Sequence, residues 1–246
     1  MTAHPDSHGT WPADVVTLSI DIGGTGLKAS LVSAQGQMIA DRVRVDTLTE
    51  LVAPLTGAQR VSVGFPGLVR HGKVVEVPSL SRREYGGARD EELADAYHMF
   101  DLQHALADRF GLPTKVVNDA DMQGCAVAQG RGLEFVMTLG TGVGTALFND
   151  GVLLPHLELS HGPFKDGMTF DIALGNAQRK EVGNNRWAKR VRKAIAAFDD
   201  MLFFDVIYLG GGNAKHLSPA DIGTKGQVVE NTAGILGGVR VWQLDT

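Results

Sequence analysis

The feature that most constrains this chain is a pattern it carries twice, in which a short apolar strand runs into a glycine cluster and out into another strand. In the first half Val16 to Ile22 alternates apolar and polar residues, the period of a half-buried strand, and ends at Gly23-Gly24 before Leu27 to Val32 continues in strand style. In the second half Phe135 to Leu139 stops at Gly140-Thr-Gly-Val-Gly144, and Thr145 to Phe148 with Val152 to Leu154 flank Asn149-Asp150-Gly151, a strong hairpin signal. A weak internal duplication of this kind predicts two similar lobes with a cleft between them.

Further elements fill out each half. Met38 to Val45 follows a turn at Gln35-Gly36 and completes a three-stranded meander, Val61 to Phe65 is a strand closed by Pro66-Gly67, and Lys115 to Val117 leads into Asn118-Asp119. Helices are predicted over Asp101 to Phe110, stopping at Gly111, over Arg186 to Met201, and over Asn231 to Trp242. The strand Val206 to Leu209 runs into Gly210-Gly-Gly212. The predicted division is a flexible tail over 1–14, an N-terminal lobe over 15–117 joined by a C-terminal helix in 231–246, and a C-terminal lobe over 118–230.

Glycine turns between strands let backbone N–H groups approach phosphate oxygens, since no side chain stands in the way. Gly23, Gly24 and Thr25 form one candidate phosphate turn, Gly140, Thr141, Gly142 and Gly144 a second, and Gly210, Gly211 and Gly212 a third that leaves room for a flat base or more phosphate. Asp21, at the end of its strand, is placed to hold hydrated magnesium, and Lys28 is either a phosphate ligand or a surface cation. Two other motifs are decoys. Gly24-x-Gly26-x-x-Ala29 matches a dinucleotide fingerprint but opens a strand where a helix is required, and Gly67-Leu-Val-Arg-His-Gly-Lys73 has P-loop spacing with Val74 where Ser or Thr must bind magnesium.

Asp119 follows a short strand, so its carboxylate is a candidate base for the proton of an attacking hydroxyl; an Asn-Asp pair also suits a helix N-cap. Glu158 and His161 supply an acceptor and an imidazole for substrate hydroxyls, or, with His156, part of a metal cluster.

The net charge of −5 argues against a general nucleic-acid binder. One basic face stands out, in which Arg186, Lys189, Arg190 and Lys193 fall at helical spacing opposite Trp187, Val191 and Phe198; it is a solvated face or a docking surface for a polyanion. The single cysteine, Cys125, excludes an internal disulfide and multi-cysteine zinc sites, and reads as a small buried side chain. No apolar run reaches the roughly 20 residues of a membrane span and no signal peptide opens the chain, so a cytoplasmic location and no membrane partner are expected.

In this order, Asp21-Ile-Gly-Gly-Thr-Gly, Gly64-Phe-Pro-Gly67, Asn118-Asp-Ala-Asp121, Leu139-Gly-Thr-Gly-Val-Gly144, Gly210-Gly-Gly212 and Asn231-Thr-Ala-Gly234 resemble the ROK sugar kinases, and among them the polyphosphate-using glucokinases. The resemblance implies an α/β, two-lobed actin-like ATPase (ribonuclease H-like) fold with a central cleft, and transfer of a phosphoryl group from polyphosphate or ATP to a hexose resembling glucose. It implies magnesium but no zinc, a homodimer, Asp119 as catalytic base, and sugar contacts from Gly67, Asn118, Glu158 and His161. It also supports a polyphosphate role for Lys189, Arg190 and Lys193. Where the glucokinases carry Glu-x-Gly-His and a second glutamate, this chain has Glu158-Leu-Ser-His161 followed by Gly162-Pro-Phe-Lys-Asp-Gly167. A non-catalytic sugar-binding protein with an altered acceptor site is the alternative reading.

Overall fold

The computed structural model describes residues 11–23, 26–45, 55–78, 80–83, 87–230 and 233–243. The chain divides into two units, residues 1–126 with 234–246, and residues 127–233.

In the first unit the strands β1 (Thr17–Gly23), β2 (Gly26–Val32), β3 (Val43–Val45) and β4 (Arg60–Phe65) are followed by a small sheet of β5 (Leu68–Arg70), β6 (Lys73–Glu76) and β7 (Phe100–Asp101), and then by β8 (Thr114–Asn118). The main sheet has the order β3-β2-β1-β4-β8, antiparallel across β3, β2 and β1 and parallel from β1 through β4 to β8. Alternation explains its two faces. Leu18, Ile20, Val61 and Val63 point into an apolar cluster with Phe65, Val74 and Val116. Their neighbours Thr17, Ser19, Ser30 and Ser62 are buried on the opposite face.

These small hydroxyl side chains exist because a helix lies very close to that face. The helix Ala233–Arg240 places Gly234 beside Asp21, where an added Cβ would stand 3.0 Å from a carboxylate oxygen, and one turn later places Gly238 on Ser19. One helical turn and two strand residues have nearly the same rise, about 6 Å, so the contact stays in step. Ser62 donates to the Gly238 carbonyl at 2.5 Å and Trp242 Nε1 donates to Ser62 at 2.8 Å. Beyond the helix, the Arg60 guanidinium lies against the rings of both Trp11 and Trp242, at 5.1 and 5.2 Å from their centroids, and burial lowers its pKa to about 10.

The second unit repeats the plan. Strands β9 (Leu133–Leu139), β10 (Val143–Asn149), β11 (Val152–Leu153), β14 (Val206–Gly210) and β15 (Gly226–Val228) form a sheet ordered β11-β10-β9-β14-β15, again antiparallel on one side and parallel on the other. The hairpin at Asp150-Gly151 has φ of 49° and 83°, the doubly positive turn that matches strand twist. The long helix Asn184–Leu202 buries Trp187, Val191, Ala194 and Phe198 against Phe135, Phe170 and Phe204. Trp187 Nε1 donates to the Leu174 carbonyl at 2.7 Å, so the indole is satisfied inside the core. Two sheets of matching order make a duplicated α/β fold, as the repeated strand and glycine pattern predicts and as the family resemblance implies.

Some expectations are modified and others hold. The helix Asp119–Val127 groups through Ala126 with the first unit, because Gly64 and Gly237 let its backbone close on β4 and on the helix Ala233–Arg240; the expected boundary had put residues 118–126 in the second lobe. The stretch from Glu91 to Phe110 forms two helices, Glu91–Tyr97 and Leu102–Phe110, separated by β7. The P-loop decoy is the hairpin β5–β6, with His71 and Gly72 at φ 49° and 75°, and the dinucleotide decoy opens β2. Cys125 is fully buried, and burial pushes its thiol pKa well above the ordinary value. Among the described residues no helix is long and apolar enough to cross a membrane.

Candidate active site

In the first unit the chemistry gathers at the carboxyl ends of parallel strands, the usual place for ligands in α/β sheets. Asp21 lies near the end of β1, beside Gly64 at the end of β4, and Phe65 is in register with Asn118 at the end of β8. The Asp21 carboxylate is paired with Lys28 across β1 and β2 at 3.1 Å, with both side chains mostly buried. Lys28 is thus no solvated surface cation but a fixed partner of Asp21. Gly24 and Thr25 lie outside the described residues, as do Asn231 and Thr232, while Gly23 pairs with Gly26 at the mouth of the turn.

Asp119 opens the helix Asp119–Val127 directly after β8 and is half-buried; one carboxylate oxygen accepts from the Ala120 N–H at 2.9 Å. Its approach to β4 is enforced by Gly64, where an added Cβ would stand 3.1 Å from the Asp119 Cα and 2.8 Å from the Met122 side chain. Asn118 caps this helix, its Oδ1 accepting from Ala120 N at 2.7 Å and Asp121 N at 3.4 Å. Its Nδ2 donates to the Gly67 carbonyl at 3.0 Å and the Phe65 carbonyl at 3.4 Å. The Asn118 amide therefore binds the Gly64-Phe-Pro-Gly67 loop to the start of the helix. Sequence reasoning placed a possible cap at the Asn-Asp pair but missed this tie to the loop.

Fit to magnesium is a question about Asp21. Magnesium keeps several waters and takes one or two carboxylates together with substrate phosphates, so a single partly committed carboxylate at a strand end suits it. Among the described residues no group of three or more His, Cys, Asp or Glu gathers into a metal cluster.

In the second unit the Gly140–Gly144 turn joins β9 to β10, and its carbonyl groups are tied into the protein. Gly140 O accepts from Asn176 N at 3.1 Å and Asn213 Nδ2 at 2.9 Å, Thr141 O from Asn176 N at 3.1 Å, and Leu139 O from Asn213 N at 2.9 Å. Asp171 Oδ1 accepts from Val143 N at 2.7 Å, and Thr138 Oγ1 from Gly144 N at 3.1 Å. Gly211 requires glycine twice over, having φ 80° and lying where a Cβ would collide with the Leu139 backbone. By contrast, a Cβ at Gly140 or Gly212 would meet nothing within 4 Å. These two glycines face open space, so their lack of a side chain answers no internal packing need.

Glu158 sits between two imidazoles, 3.6 Å from His156 Nε2 and 3.9 Å from His161 Nε2. Burial resists its ionisation, but the adjacent His156 imidazole and the charge of His161 outweigh this and hold its pKa below the ordinary value. The result is an anionic acceptor whose neighbour His161 is exposed. The segment that follows is the hairpin of β12 (Pro163–Lys165) and β13 (Met168–Thr169) and then the helix Phe170–Leu174, elements the sequence did not announce.

On the basic helix, Lys189 and Lys193 are exposed. Arg190 is directed inward, donating to the Ala173 carbonyl at 3.1 Å and to Gln178 Oε1 at 2.8 Å. It braces the helix Phe170–Leu174.

Comparison with known proteins points to one family. A model described as the ROK family matches residues 17–155. Polyphosphate glucokinase of Mycobacterium tuberculosis (strain CDC 1551 / Oshkosh) is 26% identical over 92% of this chain and 91% of its own length. Inorganic polyphosphate/ATP-glucomannokinase from Arthrobacter sp. strain KM superposes with a TM-score of 0.75 at 27% identity, covering 94% of this chain and 99% of that one. A ROK family glucokinase from Streptomyces griseus, solved with glucose and AMPPNP, shares the fold at a TM-score of 0.65 and 17% identity, over 92% and 98% of the two chains.

Proposed function

Since this chain belongs to the ROK family, we propose that it is a hexose kinase, transferring a phosphoryl group from polyphosphate or ATP to the 6-hydroxyl of a hexose, with glucose as the preferred acceptor. The observation that carries the reading is the half-buried carboxylate of Asp119, set at the carboxyl end of β8 by the Asn118 cap and by the glycine contact at Gly64.

In this reading the sugar 6-hydroxyl attacks the donor's terminal phosphorus, its proton passes to Asp119, and the bond from phosphorus to the bridging oxygen breaks, leaving ADP or a chain shortened by one phosphate. Asp21 would hold hydrated magnesium, which supplies neutralising charge to the phosphates when bound. Lys28 orients the Asp21 carboxylate through their ion pair. The Gly23–Thr25 turn and, in the Gly140–Gly144 turn, the N–H groups of Thr141 and Gly142 bind phosphate oxygens, since Gly140, Val143 and Gly144 N–H are committed within the protein, and Gly210–Gly212 contributes further donor contacts. Glu158 and His161 bind sugar hydroxyls, and Asn118 acts as a positioning residue through the Gly67 loop.

Incubation of the purified protein with magnesium, a panel of hexoses, and ATP or polyphosphate tests the reading. A sugar 6-phosphate is the expected product. Sugar-dependent thermal stabilisation without any phosphorylated product would overturn it in favour of a sensor.

A further inference from the structure

The carbonyl oxygen of Gly140 is gripped from two sides, by the backbone N–H of Asn176 and by the side-chain amide of Asn213. Both gripping segments also bring cations. Asn176 begins the helix Asn176–Val182, and its Oδ1 receives Arg179 Nη2 at 2.9 Å and Nε at 3.3 Å. Arg179 Nη1 reaches Asn184 Oδ1, at the start of the long basic helix, at 2.7 Å. Asn213 precedes the short turn Ala214–His216, which carries Lys215 and His216.

Because Asn176 and Asn213 meet on one carbonyl oxygen, Arg179, bound to Asn176, and the Lys215–His216 pair that follows Asn213 are brought from two separate segments into one neighbourhood. Burial, and then the charges of Arg179 and Lys215, hold the His216 imidazole below its ordinary pKa, so it serves as a neutral donor beside two cations. Arg179 is immobilised by two asparagine side chains that use three of its N–H groups, and a guanidinium has five, in a rigid fork suited to phosphate oxygens. An ordered cluster of like charges is costly until an anion joins it.

We propose that Arg179, Lys215 and His216 bind the stretch of a polyphosphate chain that extends beyond the phosphates held at the Gly140 turn. The proposal rests on the kinase reading and specifies its donor. Two cations and a neutral imidazole donor suit a repeating anion better than a nucleoside, which needs a flat apolar face for its base. The path continues along Asn184 toward Arg186 and Lys189, both exposed on the long helix, whereas Arg190 is committed to Ala173 and Gln178.

The test is equilibrium binding of long-chain polyphosphate to the full chain by titration calorimetry, comparing wild type with Arg179→Gln/Lys215→Gln. The control, Lys73→Gln/Arg109→Gln, removes the same charge from the first unit. Lys215→Gln alone, at an exposed position, is included so that any loss of folding from the Arg179 change does not decide the result. The expected outcome is a dissociation constant raised about tenfold in the double variant and two- to fourfold in Lys215→Gln, with the control within twofold of wild type. Wild type that fails to bind, cluster variants that bind as wild type does, or a control that loses as much would overturn the proposal. Hexose phosphate formation with either ATP or polyphosphate as donor, assayed on the same wild-type sample, separates the two ideas. Polyphosphate binding without any kinase activity would refute the kinase reading alone, and kinase activity without cluster-dependent binding would refute the polyphosphate site alone.

Discussion

The side-chain amide of Asn118 donates to the carbonyl oxygen of Gly67 at 3.0 Å, and through this bond the loop after β4 and the first turn of the helix carrying Asp119 are held as one piece. Two independent requirements meet in one side chain: an N-cap for the helix and a donor for the loop.

Asn118→Ala removes both. Loss of a cap costs about 1 kcal/mol and an unpaired buried carbonyl adds about 1–3 kcal/mol, so the thermal midpoint falls by several degrees. Asn118→Asp keeps the cap but loses the donors to Gly67. Thermal melts with steady-state kinetics should find partial recovery of stability in Asn118→Asp, with kcat still depressed because Asp119 is no longer positioned.

The open space beside Gly140 makes a second prediction. Gly140→Ala meets no protein atom within 4 Å, so its thermal midpoint stays near that of wild type while the KM for the phosphoryl donor rises about tenfold or more, through blocked approach of phosphate to the backbone. Gly237→Ala is the opposite case. Its new Cβ would overlap the Met122 carbonyl oxygen, so it loses at least about 3 kcal/mol of stability, measured by denaturant unfolding.

Glu134 is buried at the start of β9, where it accepts from Gln129 N at 2.7 Å, Gly130 N at 2.6 Å, Arg131 N at 3.1 Å and the Tyr208 hydroxyl at 2.9 Å. Burial works to raise its pKa, but these four donors win and hold it below the ordinary glutamate value. The stability it contributes is complete above the unfolded-state glutamate pKa and is lost as pH falls through the lower folded-state value. Glu134→Gln destabilises the chain by about 1–3 kcal/mol at neutral pH. Urea unfolding between pH 3 and pH 7 should show a shallower acid loss in the variant than in wild type.

Glu158→Gln removes the anion that lies between His156 and His161. Hexose KM is expected to rise about tenfold with a smaller change in kcat, since the lost contact serves binding more than transfer. Isothermal titration with glucose measures the same loss directly.

The duplicated strand and glycine pattern was legible because both halves repeat the same short-range signals: alternation in Leu18 and Ile20, a doubly positive turn at Asp150-Gly151, and a left-handed glycine stop at Gly111, φ 64°. The position of Asp119 at the end of a short strand was legible too. What escaped were tertiary relationships without a local signature. Asn118 looks from sequence like one half of an Asn-Asp pair, and only the fold brings Gly67 to its amide. Arg190 shares the helical spacing of the exposed Lys189 and Lys193 but turns toward Ala173, while Arg179 lies outside any apparent basic stripe. The hairpin Pro163–Thr169 is too short, and too broken by Gly162 and Gly167, to announce itself by periodicity.

The most direct test of the central claim is the rate of sugar 6-phosphate formation by Asp119→Asn against wild type, at saturating donor and hexose, with folding checked by circular dichroism. The account predicts a wild type that forms product and a folded variant slower by about 10²–10⁴-fold with hexose binding retained. A folded Asp119→Asn protein that turns over at the wild-type rate would contradict it.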